Sequence, residues 1–421
     1  MGTRIAVLCF LLTCGCDEST DPGPRDAGRT PGDAGAQVDA GTDAGTLDAG
    51  STADAGSSAF SIDTAPGAEI RGRPSISFDG ADFLVVWRDT LVTPYAFRAG
   101  RITPAGVRRD PGGKPVGTTT STGYGTFPGM AFDGTNHLMV WAEPNGAVLG
   151  LRVSKDAVPV DTAPLTIGAG SKIRPISVAF NGTNYLVAWR TLSDEIRVTR
   201  VSTAGVVLDS VAGTVLGNGF YPWIATDGQD FLVVWEGNGV GGIDIYANRV
   251  SGAGAAMDGP AGFLVSQAAE AQSAPSVAFN GTDYLVVWHD KQGGDVGLND
   301  GTARGSLVSR SGMVSPPVVI GDPCRSQWPV AVSSSGSEFL VVWQVDHGAV
   351  DPWPMVDVFA RRISGAGQVS GAPFQVIGSP GNQWGPVVGF GSGSYLVAWS
   401  EGGPMQGTSE SGVWGRIFPA L

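Results

Sequence analysis

The ten residues FDGADFLVVW, Phe78 to Trp87, return six more times along this chain of 421 residues. They reappear as FDGTNHLMVW (Phe132 to Trp141), FNGTNYLVAW (Phe180 to Trp189), TDGQDFLVVW (Thr226 to Trp235), FNGTDYLVVW (Phe279 to Trp288), SSGSEFLVVW (Ser334 to Trp343) and FGSGSYLVAW (Phe390 to Trp399), and the closing tryptophans stand 46 to 56 residues apart. A period of that length marks a repeat architecture, in which each unit is one supersecondary element that buries its faces against its neighbours. The composition agrees, with 64 Gly, 28 Pro and only 15% charged residues, a mixture suited to strands and turns.

Each unit reads as four strands. A proline (Pro74, Pro128, Pro175, Pro222, Pro275, Pro329, Pro386) precedes a short run of small and apolar residues, strand A. An Asp-Gly or Asn-Gly pair then supplies, in five copies, the positive φ angles of a tight hairpin. Strand B, as in Phe83 to Trp87, is apolar without alternation, the pattern of a strand covered on both faces. Its tryptophan is expected to pack in the wedge between units. Strand C ends in Arg-Ile/Val-Ser/Thr at Arg101, Arg152, Arg200, Arg249 and Arg362, with Arg416 in the last copy and Leu307 in place of Arg in the fifth. These arginines are expected to be structural, stacked on Trp or paired with carboxylates such as Asp89, Glu143, Asp290 and Glu401. Strand D is looser.

Seven such sheets arranged radially make an all-β, seven-bladed β-propeller with short, protected edges. The last copy stops after its third strand at Val413 to Phe418, while Phe60-Ser61-Ile62 precedes the first strand A with no hairpin of its own. The N-terminal strand is therefore expected to complete the last blade, and residues 59–421 to form the propeller. The repeat resembles the FDGTNYLVVW...RVS repeats of secreted and lipid-anchored propeller proteins from bacteria of the myxobacterial type. That resemblance implies the fold and an exported location and carries no residue role.

The N-terminus reads as a targeting device. After MGTR, the run Ile5 to Thr13 is apolar and much shorter than the roughly 20 residues of a spanning helix. Gly15-Cys16 follows, and residues 1–16 resemble a bacterial lipoprotein signal, which implies lipidation at Cys16. The resemblance departs at Thr13, where Leu is expected; Cys14, with Leu11 well placed, and an ordinary secretory signal are the alternatives. With Cys9 and Cys14 removed and Cys16 acylated, Cys324 would stand alone, so no intramolecular disulfide is expected. Residues 17–58 repeat DAG, contain no aromatic residue and carry nine acids against two arginines. Such a segment buries no core and is expected to be a disordered, self-repelling spacer spanning roughly 35 to 40 Å. Its Asp-Gly spacing lacks a calcium-loop ligand pattern.

The net charge of −13 argues against nucleic acid, whose phosphates need a basic footprint. The inner strands SISF, GMAF, ISVAF, WIAT, SVAF, VAVSS and VVGF hold no ionisable side chain, so the channel wall reads as inert. No nucleophile elbow, phosphate loop or zinc helix is present, and no catalytic residue, cofactor or metal is expected. His289, His347 and Cys324 fall in connections of neighbouring blades and could converge, as could Asp290, Asp295 and Asp300 around calcium; isolated loop residues more often do neither.

Strands alternate in direction, so A–B and C–D turns share one face while B–C loops and D–A connections share the other. The second face varies, with 11 to 19 residues between the motif Trp and the strand C Arg or Leu307, and variable loops on a fixed scaffold are where binding resides. Just before the strand A prolines stand Arg73, Phe127, Arg174, Tyr221, Ala274 and Trp328, with Trp384 one place further back. Aromatics and arginines around a channel mouth suit a sugar ring or a protein anchor; the competing reading is that they wedge blades apart. The expected function is a monomeric, non-catalytic binding or scaffold module of the cell envelope, at the outer membrane or cell surface, recognising a protein or glycan. The alternative is a carbohydrate-active hydrolase or lyase, which requires carboxylates converging from different blades.

Overall fold

In the computed structural model, described residues are 56–66, 73–90, 92–120, 127–172, 175–239, 242–291, 301–321, 330–350, 353–377, 382–402 and 410–421, with the backbone alone at 64–66, 347–350, 353–355, 410 and 411. They form seven four-stranded antiparallel sheets. Blade one comprises strands A to D at Ser75–Phe78, Phe83–Asp89, Tyr95–Ile102 and Lys114–Thr119, and the next five repeat this plan. Strand A touches its counterpart in the neighbouring blade all the way round, that of blade seven meeting that of blade one. Blade seven takes three strands from the C-terminal end, and Phe60–Pro66 pairs with Glu410–Pro419 as its fourth, in the register Phe60 to Gly415 and Pro66 to Glu410. The ring closes as the unpaired Phe60-Ser61-Ile62 segment predicts.

The core is divided into seven apolar clusters, each lying between two adjacent blades. Strand B is buried along its length, and all seven motif tryptophans are at most 1% exposed. Their apolar run without alternation has this cause: both faces of the strand meet a neighbour.

The A–B hairpin differs from a two-residue turn. Four residues connect Phe78 to Phe83, and only the glycine is left-handed, at φ 93° for Gly80. Asp79 acts through its side chain instead: Oδ1 accepts from the backbone N–H of Ala81 and Asp82 at 2.8 and 2.7 Å. Asp133, Asn181, Asp227 and Asn280 do the same, which explains why Asp and Asn interchange there. The rings flanking the turn, Phe78 and Phe83 for example, pack tilted at 4.9 Å.

The strand C arginines pair with carboxylates as expected, but with other partners than those anticipated. They neither stack on the motif tryptophans nor pair with Asp89, Asp290 or Glu143. Arg101, Arg152, Arg200 and Arg249 each grip the Asp nine residues downstream, Asp110, Asp161, Asp209 and Asp258, across the C–D turn. Arg152 and Arg249 also donate to backbone carbonyls of the next blade, at Thr203 and Arg310. The Ser or Thr two places after the arginine accepts from the far side of the same turn, as Ser202 does from Val206 N–H at 3.1 Å. Asp89 and Asp290 pair with Arg98 and Arg304, and Glu143 accepts from the Trp141 indole and Thr120. Where the downstream acid is missing the arginine is redeployed or replaced: Arg362 pairs with Glu338, and Leu307 stands opposite Ser315.

Candidate functional site

The inner strands surround an axial channel, with a cavity of about 180 Å³ at its variable-face end. Counting back three places from the first residue of each ten-residue motif gives one ring of its wall: Ser75, Gly129, Ser177, Trp223, Ser276, Ala331 and Val387. Six of these are small or slim, and the seventh is an indole. The next places give an apolar ring running from Ile76 to Val388. Among the described residues that line the cavity, no carboxylate or imidazole is present.

Arg73 changes the character of this channel. It precedes Pro74 in blade one, yet its guanidinium carbon lies 4.8 Å from the Trp223 ring of blade four, three blades away across the axis. It also donates to the Pro386 carbonyl of adjoining blade seven at 3.3 Å. Arg73 as a whole is only partly buried, but its Nε is sealed from solvent and has no hydrogen-bond partner among the described residues. Burial pushes its pKa down to about 10, so it remains a cation at neutral pH. A cation therefore reaches the channel from the residue just before the strand A proline, outside the strand residues from which an inert wall was read.

The other anticipated rim residues separate. Phe127 lines the cavity beside Arg73. Tyr221 and Trp384 do not line it, because their strands begin with bulges. In blade four the register slips between Phe220 and Trp223, and Tyr221 takes a left-handed φ of 51°; blade seven slips between Trp384 and Val387, with Gly385 at 58°. Such a bulge re-aims side chains, and here it turns Trp223 to the axis in place of Tyr221. The left-handed residues are tied down: Gly385 N–H donates to Gln344 Oε1 at 3.0 Å, and Ala274, the equivalent in blade five, donates to Glu236. Arg174 and Trp328 lie outside the described residues.

Trp223 was missed because its strand reads WIAT, an ordinary apolar run. The signal was the contrast between repeats, an indole where six blades carry Ser, Gly, Ala or Val.

Of the possible metal or Cys-His group, only His289 is described with its side chain. It is buried, with Nδ1 3.3 Å from the Ser273 hydroxyl, and burial pushes its pKa down to about 4. Cys324, the His347 side chain, Asp295 and Asp300 lie outside the description, and Asp290 is engaged by Arg304 at 2.6 Å. Among the described residues no group of three potential ligands comes together.

No known protein family and no curated relative matches the chain. Among solved structures it is similar to the BP39L lectin of Burkholderia pseudomallei, at 16% identity and a TM-score of 0.57, over 84% of this chain and 99% of that one. It is likewise similar to the polysaccharide lyase Uly1, at 13% identity and a TM-score of 0.50, over 86% and 92%. The chain is a seven-bladed β-propeller. At such identities the likeness to these propellers shows the fold alone.

Proposed function

We propose that this propeller is a non-catalytic binding module displayed from the cell envelope, recognising a glycan, or a protein carrying equivalent groups, at the channel mouth of its variable face. The observation that carries the reading is the convergence of Arg73, Phe127 and Trp223 on a cavity whose described lining contains no carboxylate. An indole and a phenyl ring pack the apolar faces of a ligand while a guanidinium fixes its polar groups. A glycosidase needs a carboxylate pair across the scissile bond, and nothing described in this wall supplies one. A lectin and a polysaccharide lyase among the similar folds make sugars the first ligands to try. In this reading Cys16 carries a lipid and residues 17–58 act as a spacer, holding a monomeric propeller away from the membrane; both lie largely outside the described residues.

Two measurements test it. Membrane fractionation of the intact chain against Cys16→Ser tests the anchor, and a Cys16→Ser protein that still partitions with lipid defeats it. Retention on immobilised envelope polysaccharides tests the site. Phe127→Ala and Trp223→Ala are expected to weaken retention at least tenfold, roughly 1.4 kcal/mol, whereas Tyr221→Ala and Trp384→Ala, off the channel wall, retain it. Release of shortened sugar chains during the assay would instead establish the hydrolase or lyase reading.

A further inference from the structure

A guanidinium carries five N–H donors. At Arg73 one is used on the Pro386 carbonyl, the π face is covered by Trp223, and Nε is left sealed and unbonded among the described residues. None of the described residues lining the cavity brings a negative charge to it. A partly desolvated cation with no counter-ion among the described residues is costly, and the deficit is specific in kind: it asks for an acceptor with two oxygens, able to take the remaining N–H groups of the two terminal nitrogens as a fork.

The cavity limits what can bring that acceptor. About 180 Å³ corresponds to roughly six waters at their liquid volume of about 30 Å³ each. That is the scale of a carboxylate and the single ring bearing it. Charge points the same way, since a chain of net charge −13 repels a polyanion at long range and tolerates a single buried acid meeting a single buried cation. The ring of Ser75, Gly129, Ser177 and Ser276 leaves room beside the aromatic side chains for an apolar ring face.

We propose that the channel mouth is a carboxylate site, binding an acidic sugar of the uronate class as a free monosaccharide or as the terminal unit of a polysaccharide, with Arg73 as the ion-pairing fork and Trp223 and Phe127 as its apolar walls. The proposal rests on the binding-module reading and narrows its ligand. Arg73 is then held in place by Trp223 and Pro386 in the absence of ligand, so the site is formed before binding.

The test is calorimetric titration of the intact chain with galacturonate, its trimer and neutral galactose at matched ionic strength, with melting temperatures followed in parallel. Galacturonate is expected to bind at least tenfold more tightly than galactose and to raise the melting temperature. Arg73→Met is expected to abolish the preference while melting at or above the wild type, because it removes an uncompensated buried charge. A strut that merely wedged blades apart would melt lower on the same change. Arg73→Lys keeps the charge but not the fork, and is expected to reduce the preference without unfolding the protein. Arg310→Gln, on the opposite face, should leave it unchanged. Binding of both acidic ligands identifies the free sugar as sufficient; binding of the trimer alone identifies a polysaccharide end. Equal affinity for galactose and galacturonate, or a preference that survives Arg73→Met, overturns the carboxylate assignment and leaves a neutral-sugar module. No galacturonate binding at all also overturns it, and retention of other envelope material by the same protein would show that the binding-module reading stands without it.

Discussion

The two faces of this ring treat charge differently. On the face of the A–B and C–D turns, ionised groups are matched: Arg101, Arg152, Arg200 and Arg249 each hold an Asp of their own turn. Burial pushes those carboxyls up, but the guanidinium bonds outweigh it and hold them below the ordinary carboxylate range. On the face of the B–C and D–A connections, matched pairs such as Asp89–Arg98, Arg190–Asp194 and Asp290–Arg304 stand beside groups whose charged form is penalised. Arg73 is driven down to about 10 and His289 to about 4, and Asp244 is raised, in each case first by desolvation. The clasps of the turn face set the spacing of the blades, and the unmatched groups of the other face retain unspent electrostatic demand. That is the difference expected between a scaffold and a surface that meets something else.

The largest test asks whether both faces depend on one closed ring. The strand Phe60–Pro66 seals blade seven: Ile62 is 2% exposed, Asp63 accepts from the Trp87 indole, and Ser61 accepts from Arg108 of the blade-one turn. A chain beginning at Gly67 should lose about 5 kcal/mol or more relative to one beginning at Gly56, from lost burial and an opened sheet edge. Equal melting of the two would mean that the blades stand independently, and the faces could no longer be compared as parts of one frame.

Acid is the next largest probe, and it reaches both ends of strand B. His137 sits at the turn end in blade two, 0% exposed, and His289 at the connection end in blade five, 6% exposed; burial pushes both down to about 4 from 6.5. Unfolded histidine takes its proton near 6.5 while the folded one resists until near 4, so stability present at neutral pH is lost as pH falls through that window. At pH 5 the cost is about 2 kcal/mol for each histidine. His137→Phe, which restores the aromatic found in other blades, should remove roughly half of the loss between pH 7 and 5 in denaturant titrations. An unchanged loss would place the acid sensitivity elsewhere.

What was legible in the sequence follows from what repeats. The sevenfold recurrence, the unalternating strand B and the unpaired Phe60-Ser61-Ile62 together specify a closed ring, since each is a demand that one blade cannot meet alone. The Arg–Asp clasp was equally periodic, Arg followed nine places later by Asp in four repeats, and was overlooked because attention rested on acids near the tryptophans. The site was harder to read. Arg73 and Trp223 are 150 positions apart and meet only because their blades face each other across the axis, and the exchange of Tyr221 for Trp223 follows from a bulge that leaves no mark on the residue pattern.

A smaller effect sharpens the matched side of the comparison. Asp209→Ala strands Arg200, whose side chain is 20% exposed, and should cost about 2 kcal/mol, as for loss of a charge-assisted hydrogen bond. Pairing it with Arg200→Leu imitates blade five, where Leu307 stands without an acid, and should recover about half, because no cation is left unpaired. A double mutant as unstable as the single one would show that the turn needs the clasp itself and not merely the absence of a stranded charge.

The smallest effect sharpens the unmatched side. Asp244 is the second residue of strand C of blade four, Ile243–Val250, is 0% exposed, and has neither carboxylate oxygen bonded to a described residue. Burial raises its pKa, so the folded state binds the proton more readily than the unfolded one. The sign is then opposite to that of the clasp: the penalty is fully present above the raised folded value and is relieved as pH falls toward the ordinary 3.8. Asp244→Asn removes the charge and should stabilise the chain by about 1 kcal/mol at neutral pH, the order of an unsatisfied buried polar group. The gap to wild type should close as the medium is acidified, because the wild-type carboxyl becomes neutral as well. The carboxyls of the turn face must respond the other way, losing their contribution below that same value. Opposite slopes for Asp244→Asn and Asp209→Ala in one acid series are the direct signature of an unmatched and a matched carboxyl, and parallel slopes would remove the distinction.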